Sequence, residues 1–120
     1  MDNLKRILVV DDDLEHLWLS KLILERRGYT VIILSACTQL LQVIKDFRPG
    51  LIFMDHWMPQ MTGMEATRLI KSDDYGRQIP VVYFTGGNNI AELAIEAGAD
   101  DWLSKPFRLD EFRAKADKYF

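Results

Sequence analysis

Five short apolar runs alternate along this chain with five longer stretches of helical spacing. The runs are ILVV (7–10), YTVIIL (29–34), LIFM (51–54), PVVYF (80–84) and DWL (101–103). Each is too short for a stable helix, and turn formers bound most of them: Gly28, Pro49-Gly50, Pro80, Gly86-Gly87 and Pro106. Between them, Leu14–Arg27 carries apolar residues at 14, 17, 18, 22 and 24, with Gly28 placed to cap the helix end. Residues 37–47 carry Leu40, Leu41, Val43, Ile44 and Phe47, and residues 64–72 carry Met64, Ala66, Leu69 and Ile70. Residues 89–97 carry Ile90, Leu93, Ala94 and Ala97 ahead of Gly98, and 108–119 sets Leu109, Phe112, Ala116 and Tyr119 on one stripe. Strands that alternate with helices predict a doubly wound α/β fold: a five-stranded parallel sheet with helices on both faces. Strands that are apolar throughout, rather than every second residue, fit burial from both sides.

A chain of 120 residues, 48% of them apolar, suits one domain with one core, 1–120. A formal net charge of −3, with no Lys/Arg block, argues against direct nucleic-acid binding by this domain. The apolar runs are too short to cross a membrane, and MDNLKRILVVDDD meets acid before a signal-peptide core could form. A soluble, cytoplasmic protein is expected. Cys37 is the one cysteine, so neither an internal disulfide nor a cysteine-rich zinc site is available. The chain stops after the fifth helical stripe, as either a one-domain protein or a domain of a longer one.

In such a sheet, ligands bind outside the carboxyl ends of the strands. The first strand ends at Asp11-Asp12-Asp13, the third at Asp55 and the fourth at Thr85, while the fifth leads to Lys105-Pro106. Topology alone therefore gathers Asp11, Asp12 and Asp55 with a hydroxyl and an ammonium. Like charges in one crevice repel and push a pKa upward, and a hard divalent cation such as magnesium relieves that conflict. Thr85 can donate a hydrogen bond to a phosphoryl oxygen and Lys105 can balance its charge. A carboxylate nucleophile, a metal and a lysine are what phosphoryl transfer to an aspartate requires. The cluster reads as a phosphoryl acceptor.

With ILVVDDD, LIFMDHWMPQMTGME, VVYFTGG and AGADDWLSKPF in this order, the chain resembles the receiver domain of two-component response regulators along essentially its whole length. The resemblance implies a flavodoxin-like sheet of order 2-1-3-4-5 and a signalling switch rather than an enzyme, limited to magnesium-dependent self-phosphorylation and slow autodephosphorylation. Asp55 would accept a phosphoryl group from a phosphohistidine of a sensor histidine kinase or histidine phosphotransfer protein. Magnesium, with manganese as a substitute, would be held by Asp12, Asp55 and the backbone carbonyl of Trp57, with Asp11 acting mostly through water. Thr85 falls at the switch hydroxyl, Lys105 at the phosphoryl-binding lysine, and Trp102 at the rotating switch aromatic. The Lys105-Pro106 peptide would be cis.

Other residues have simpler roles to weigh. Asp13, or Asp12 in part, is expected to cap the first helix. His56 should point away from Asp55 by strand alternation and serve structure or surface. Cys37 should be inert, and Met58 and Met61 should pack beneath the loop around Pro59. Trp57 stands where the family more often has a small or polar residue, and its indole is expected to overhang Asp55. The 20 positions from Thr85 to Lys105 are fewer than the family's spacing, the loss falling near Gly86-Gly87-Asn88-Asn89. The first helix has more apolar residues than one buried face needs, so Trp18 either docks a kinase helix or packs on the last helix. Acids at Glu92, Glu96, Asp100 and Asp101 with bases at Arg108, Arg113, Lys115 and Lys118 suggest a symmetric homodimer through the fourth helix, fifth strand and fifth helix. Two other classes compete: a receiver-like interaction module acting without phosphorylation, and a small phosphatase using Asp11 of Asp11-x-Asp13 as its nucleophile.

Overall fold

The computed structural model describes residues 5–120. Five strands form one parallel sheet of order β2-β1-β3-β4-β5: β1 (Arg6–Val10), β2 (Thr30–Leu34), β3 (Leu51–Met54), β4 (Val81–Thr85) and β5 (Asp101–Ser104). The helices are α1 (Leu14–Arg26), α2 (Leu40–Phe47), α3 (Gly63–Ser72), α4 (Ile90–Ala97) and α5 (Leu109–Asp117). The expected architecture is present, including the strand order. Strand alternation divides the apolar residues between two layers. Leu8, Val10, Ile52, Met54 and Tyr83 face α2, α3 and α4 through Leu40, Ile44, Ala66, Ile70 and Ala94. Ile7, Val9, Phe53, Val82 and Phe84 face α1 and α5 through Leu17, Leu24, Phe112 and Ala116. This two-sided burial accounts for the unbroken apolar strands.

The helix ends follow local chemistry. Asp13 caps α1, its side chain accepting from the Glu15 and His16 amides, as expected of the third aspartate. Past α1, the Gly28 N–H donates to Glu25 and the Tyr29 N–H to Leu24, with Gly28 left-handed at φ 101°. Helix α2 begins at Leu40 rather than 37. Cys37 is already buried there, and the helix opens only after its carbonyl accepts from the Leu40 amide. Helix α5 ends at Asp117, before Tyr119. A 3-10 turn at Gly76–Gln78 lies outside the expected elements, held by the Asp73 carboxylate on the Tyr75 and Gly76 amides.

Burial and intrachain hydrogen bonds bear on two surface expectations. On α1, Leu17, Ser20 and Leu24 face the core, whereas Leu14, Trp18, Leu19 and Leu22 are exposed, Trp18 at 61%. Trp18 is therefore not part of the buried core. Among the charges expected to pair between copies, Asp101 accepts from Lys115, Lys118 and the Tyr119 hydroxyl of its own chain, and Asp100 from Lys71 and the Val81 amide. Burial opposes ionisation of Asp101, yet these donors and the Trp102 amide together hold its carboxyl down to about 2.

Candidate functional site

The carboxyl ends of β1, β3 and β4 converge through the sheet hydrogen bonds themselves. The Asp11 amide donates to Leu34, the Asp55 amide to Val10 and the Lys105 amide to Thr85, each extending a parallel ladder by one residue. The site side chains therefore stand on backbone that the sheet holds still, which suits a constellation that must be preorganised.

Asp11, Asp12 and Asp55 each present a carboxylate oxygen such that all three lie within 4.8 Å of one another. Asp11 and Asp55 are buried and Asp12 is exposed. Asp11 is fully committed: its Oδ1 accepts from the Asp13 amide at 3.0 Å, and its Oδ2 from His16 Nδ1 at 2.6 Å and Lys105 Nζ at 2.8 Å. Burial works against its charge, but these donors outweigh it and lower the carboxyl to about 2. Among the described residues, the Asp55 carboxylate accepts a hydrogen bond from the Lys105 ammonium alone, at 3.5 Å. Burial pushes its pKa up to about 6; Lys105 opposes the rise, while the neighbouring Asp11 and Asp12 charges reinforce it.

Thr85 is wholly buried, and its hydroxyl finds no hydrogen-bond partner among the described residues. It lies close enough to Asp55 to favour the ionised form, though the approach falls short of a hydrogen bond. A buried orphan donor beside an under-compensated carboxylate is an incomplete polar arrangement. The ammonium of Lys105 also rests over the Phe84 ring, 5.0 Å from its centre. The Lys105-Pro106 peptide is cis.

The β3–α3 loop folds tightly back on the acceptor. The Gly63 amide donates to the His56 carbonyl at 2.8 Å, and α3 starts there under a capping box between Thr62 and Glu65. Met58 and Met61 pack against the core under this loop, as expected. His56 is structural: it is buried, with Nδ1 2.9 Å from the Tyr83 hydroxyl. The Trp57 indole meets the His56 ring edge-on at 4.5 Å and is 63% exposed. Cys37 is buried, which raises its thiol to about 11 and keeps it unreactive. Trp102 lies on β5 with its ring partly in solvent.

The structure thus brings together Asp11, Asp12, Asp55, Thr85 and Lys105, and leaves Trp102 apart on the surface. It adds His16, which the sequence reading passed over. The signal was available: His16 lies in the first turn of a helix separated from a strand end by three residues, which places it near that edge.

The pattern of the response regulator receiver domain matches residues 7–117. The chain is 32% identical over 118 residues to the DNA-binding response regulator MtrA of Mycobacterium tuberculosis, covering 96% of this chain and 50% of that protein. It is 36% identical over 112 residues to the response regulator MprA of Mycobacterium ulcerans, covering 92% and 47%. The chain spans about half the length of these relatives. The receiver domain of NtrX from Brucella abortus superposes with a TM-score of 0.85 at 32% identity, over 94% of this chain and 96% of that one. Vibrio cholerae CheY4, a chemotaxis protein, shares the fold with a TM-score of 0.90 at 23% identity, over 98% and 99%.

Proposed function

Because the chain belongs to the response regulator receiver domain family, we propose that Asp55 takes a phosphoryl group from the phosphohistidine of a sensor histidine kinase or histidine phosphotransfer protein. The observation that carries this reading is the contrast between the two buried aspartates. Asp11 has every oxygen engaged, whereas Asp55 is buried with one distant cation and an orphan hydroxyl beside it. The same contrast disfavours a phosphatase with Asp11 as nucleophile, since its oxygens are already tied down.

In the transfer, an Asp55 oxygen attacks phosphorus to form an acyl phosphate while the P–N bond breaks and the imidazole leaves with its electron pair. Lys105 neutralises the charge gathered on the phosphoryl oxygens, and Thr85 donates to one of them. The three clustered carboxylates fit a magnesium ion, with manganese as a substitute: Asp12, Asp55 and the Trp57 carbonyl would hold it and Asp11 would act through water. Such an ion supplies positive charge to the acceptor carboxylate and to the incoming phosphoryl oxygens.

Phosphorylation then shifts a two-state equilibrium that alters the α4–β5–α5 face, where Thr85 in β4 pairs with Ser104 and Trp102 moves. That face would engage an output domain or a second copy. With Asp101 engaged within the chain, exposed Ile95, Glu92 and Glu96 of α4 and Leu109 of α5 remain available for a dimer. The exposed α1 row of Leu14, Trp18 and Leu22 is the kinase-docking candidate. No helix among the described residues is long and apolar enough to cross a membrane.

A form with Trp18 and Trp102 replaced by Phe leaves Trp57 as the only indole. Beryllofluoride added in the presence of saturating Mg²⁺ should change its fluorescence saturably, beyond any effect of Mg²⁺ alone, and an Asp55→Ala variant should show no response to beryllofluoride. A response that survives loss of Asp55 contradicts the reading. An unresponsive protein whose partner binding ignores the mimic would favour a phosphate-independent module.

Trp57 also bears on lifetime. Standing against His56 two residues after the acceptor, its indole hinders water approaching the acyl phosphate. Trp57→Asn should release phosphate several-fold faster in a pulse-chase of labelled protein. Equal decay rates would remove this role from the indole.

A further inference from the structure

Asp11 Oδ2 has two side-chain donors where a single one would satisfy it. Lys105 Nζ approaches at 2.8 Å and His16 Nδ1 at 2.6 Å. A carboxylate oxygen only accepts, so Nδ1 carries the hydrogen. The two donors differ in what holds them. Lys105 is a flexible stem that also reaches 3.5 Å from Asp55. The His16 ring packs against both Phe84 and Phe107, with ring centres at 5.1 and 5.6 Å, on a helix turn whose own amide is capped by Asp13.

The acceptor reading requires Lys105 to leave Asp11 for a phosphoryl group on Asp55. That move would strip a buried carboxylate of its cation, and an unsatisfied buried charge is expensive. We propose that His16 is a positioning residue of the acceptor site: it keeps Asp11 Oδ2 occupied, so that Lys105 is free to move to the phosphoryl group. The two donors are redundant before transfer and sequential during it. His16 stays while Lys105 travels, and Asp11 keeps its place beside Asp12 and Asp55. The inference rests on the phosphoacceptor reading and adds a residue to it.

His16→Leu removes the N–H while retaining an apolar body against the two phenylalanines. His16→Asn restores an N–H close to the Nδ1 position, and His16→Phe replaces the Leu variant should that fold poorly. With acetyl phosphate and Mg²⁺, His16→Leu should form acyl phosphate on Asp55 about tenfold more slowly, and His16→Asn should recover to within about threefold of wild type. A second measurement needs neither metal nor phosphate. In urea unfolding of the metal-free protein, His16→Leu combined with Lys105→Met should cost more stability than the sum of the two single changes, because only the pair strips Oδ2 of both donors.

Equal labelling rates in wild type and His16→Leu overturn the role of His16, as does additivity in the unfolding cycle. A folded His16→Asn as slow as His16→Leu does the same. A wild type that takes up no phosphoryl group overturns the acceptor reading itself, and this proposal with it.

Discussion

Replacing Asp55 with Asn is expected to stabilise the metal-free protein by about 2–3 kcal/mol at neutral pH, raising its melting temperature by roughly 10 °C. The physical reason is the rise of the Asp55 pKa to about 6 from 3.8, caused first by burial and reinforced by Asp11 and Asp12 against the opposing pull of Lys105. A carboxylate whose folded pKa is raised binds its proton more tightly in the native state than in the unfolded chain. Native stability therefore falls as pH climbs from about 4 to about 6, and the loss is complete above that. The amide carries no charge at any of these pH values. Lys105 is not orphaned by the change, because it keeps Asp11 at 2.8 Å. The advantage of the Asn variant should thus be small at pH 4 and full by pH 7. Saturating Mg²⁺ should narrow it, since the ion binds the form with the carboxylate more tightly. Paired urea titrations across that pH range check the prediction; an advantage that does not grow with pH would mean that Asp55 is not strained in the metal-free fold.

A methyl group at residue 63 should have the opposite effect and damage both fold and site. A Cβ on Gly63 would stand 2.2 Å from the Asp55 carbonyl oxygen and 2.8 Å from the His56 Cα, both backbone atoms of the segment that carries the acceptor. Backbone cannot rotate away as a side-chain tip can, so either α3 withdraws or the Asp55–His56 peptide shifts. Gly63→Ala should cost about 3 kcal/mol or more. Displacing the acceptor backbone should also slow phosphoryl uptake at least tenfold in whatever fraction still folds, because small misplacements of reacting groups are costly. Gly86→Ala is the control. Its added methyl meets nothing nearer than the Lys105 carbonyl at 3.9 Å, and both stability and uptake should stay near wild type. Comparable losses in the two variants would contradict the close-approach explanation.

These two predictions mark different depths of legibility in the sequence. The strands were readable because LIFM and VVYF are apolar on both faces, a pattern that only a sheet covered on each side accommodates. Asp11, Asp55, Thr85 and Lys105 were readable because strand ends of a parallel sheet share one edge, whatever the loops do. The requirement for Gly63 was not visible, because its contact with Asp55 depends on how sharply the loop returns. Helix α1 left its inward face undecided for a related reason. Its apolar residues cover more than one face, and only the docked orientation shows that Leu17 and Leu24 point inward while Trp18 does not. Charge pairing was the least legible. Asp101 looked free for a second copy, yet Lys115, Lys118 and Tyr119 come back from α5 to claim it. Contacts between residues far apart in the chain need the packed geometry before a partner can be assigned.

The most direct test is intact-protein and peptide mass analysis after incubation with acetyl phosphate and Mg²⁺. One acid-stable but base-labile phosphoryl group should appear on the peptide containing Asp55, depend on the metal, and vanish in Asp55→Asn. Label on Asp11, label that persists without Asp55, or free phosphate released with no protein-bound group on Asp55 would contradict a phosphoacceptor at residue 55.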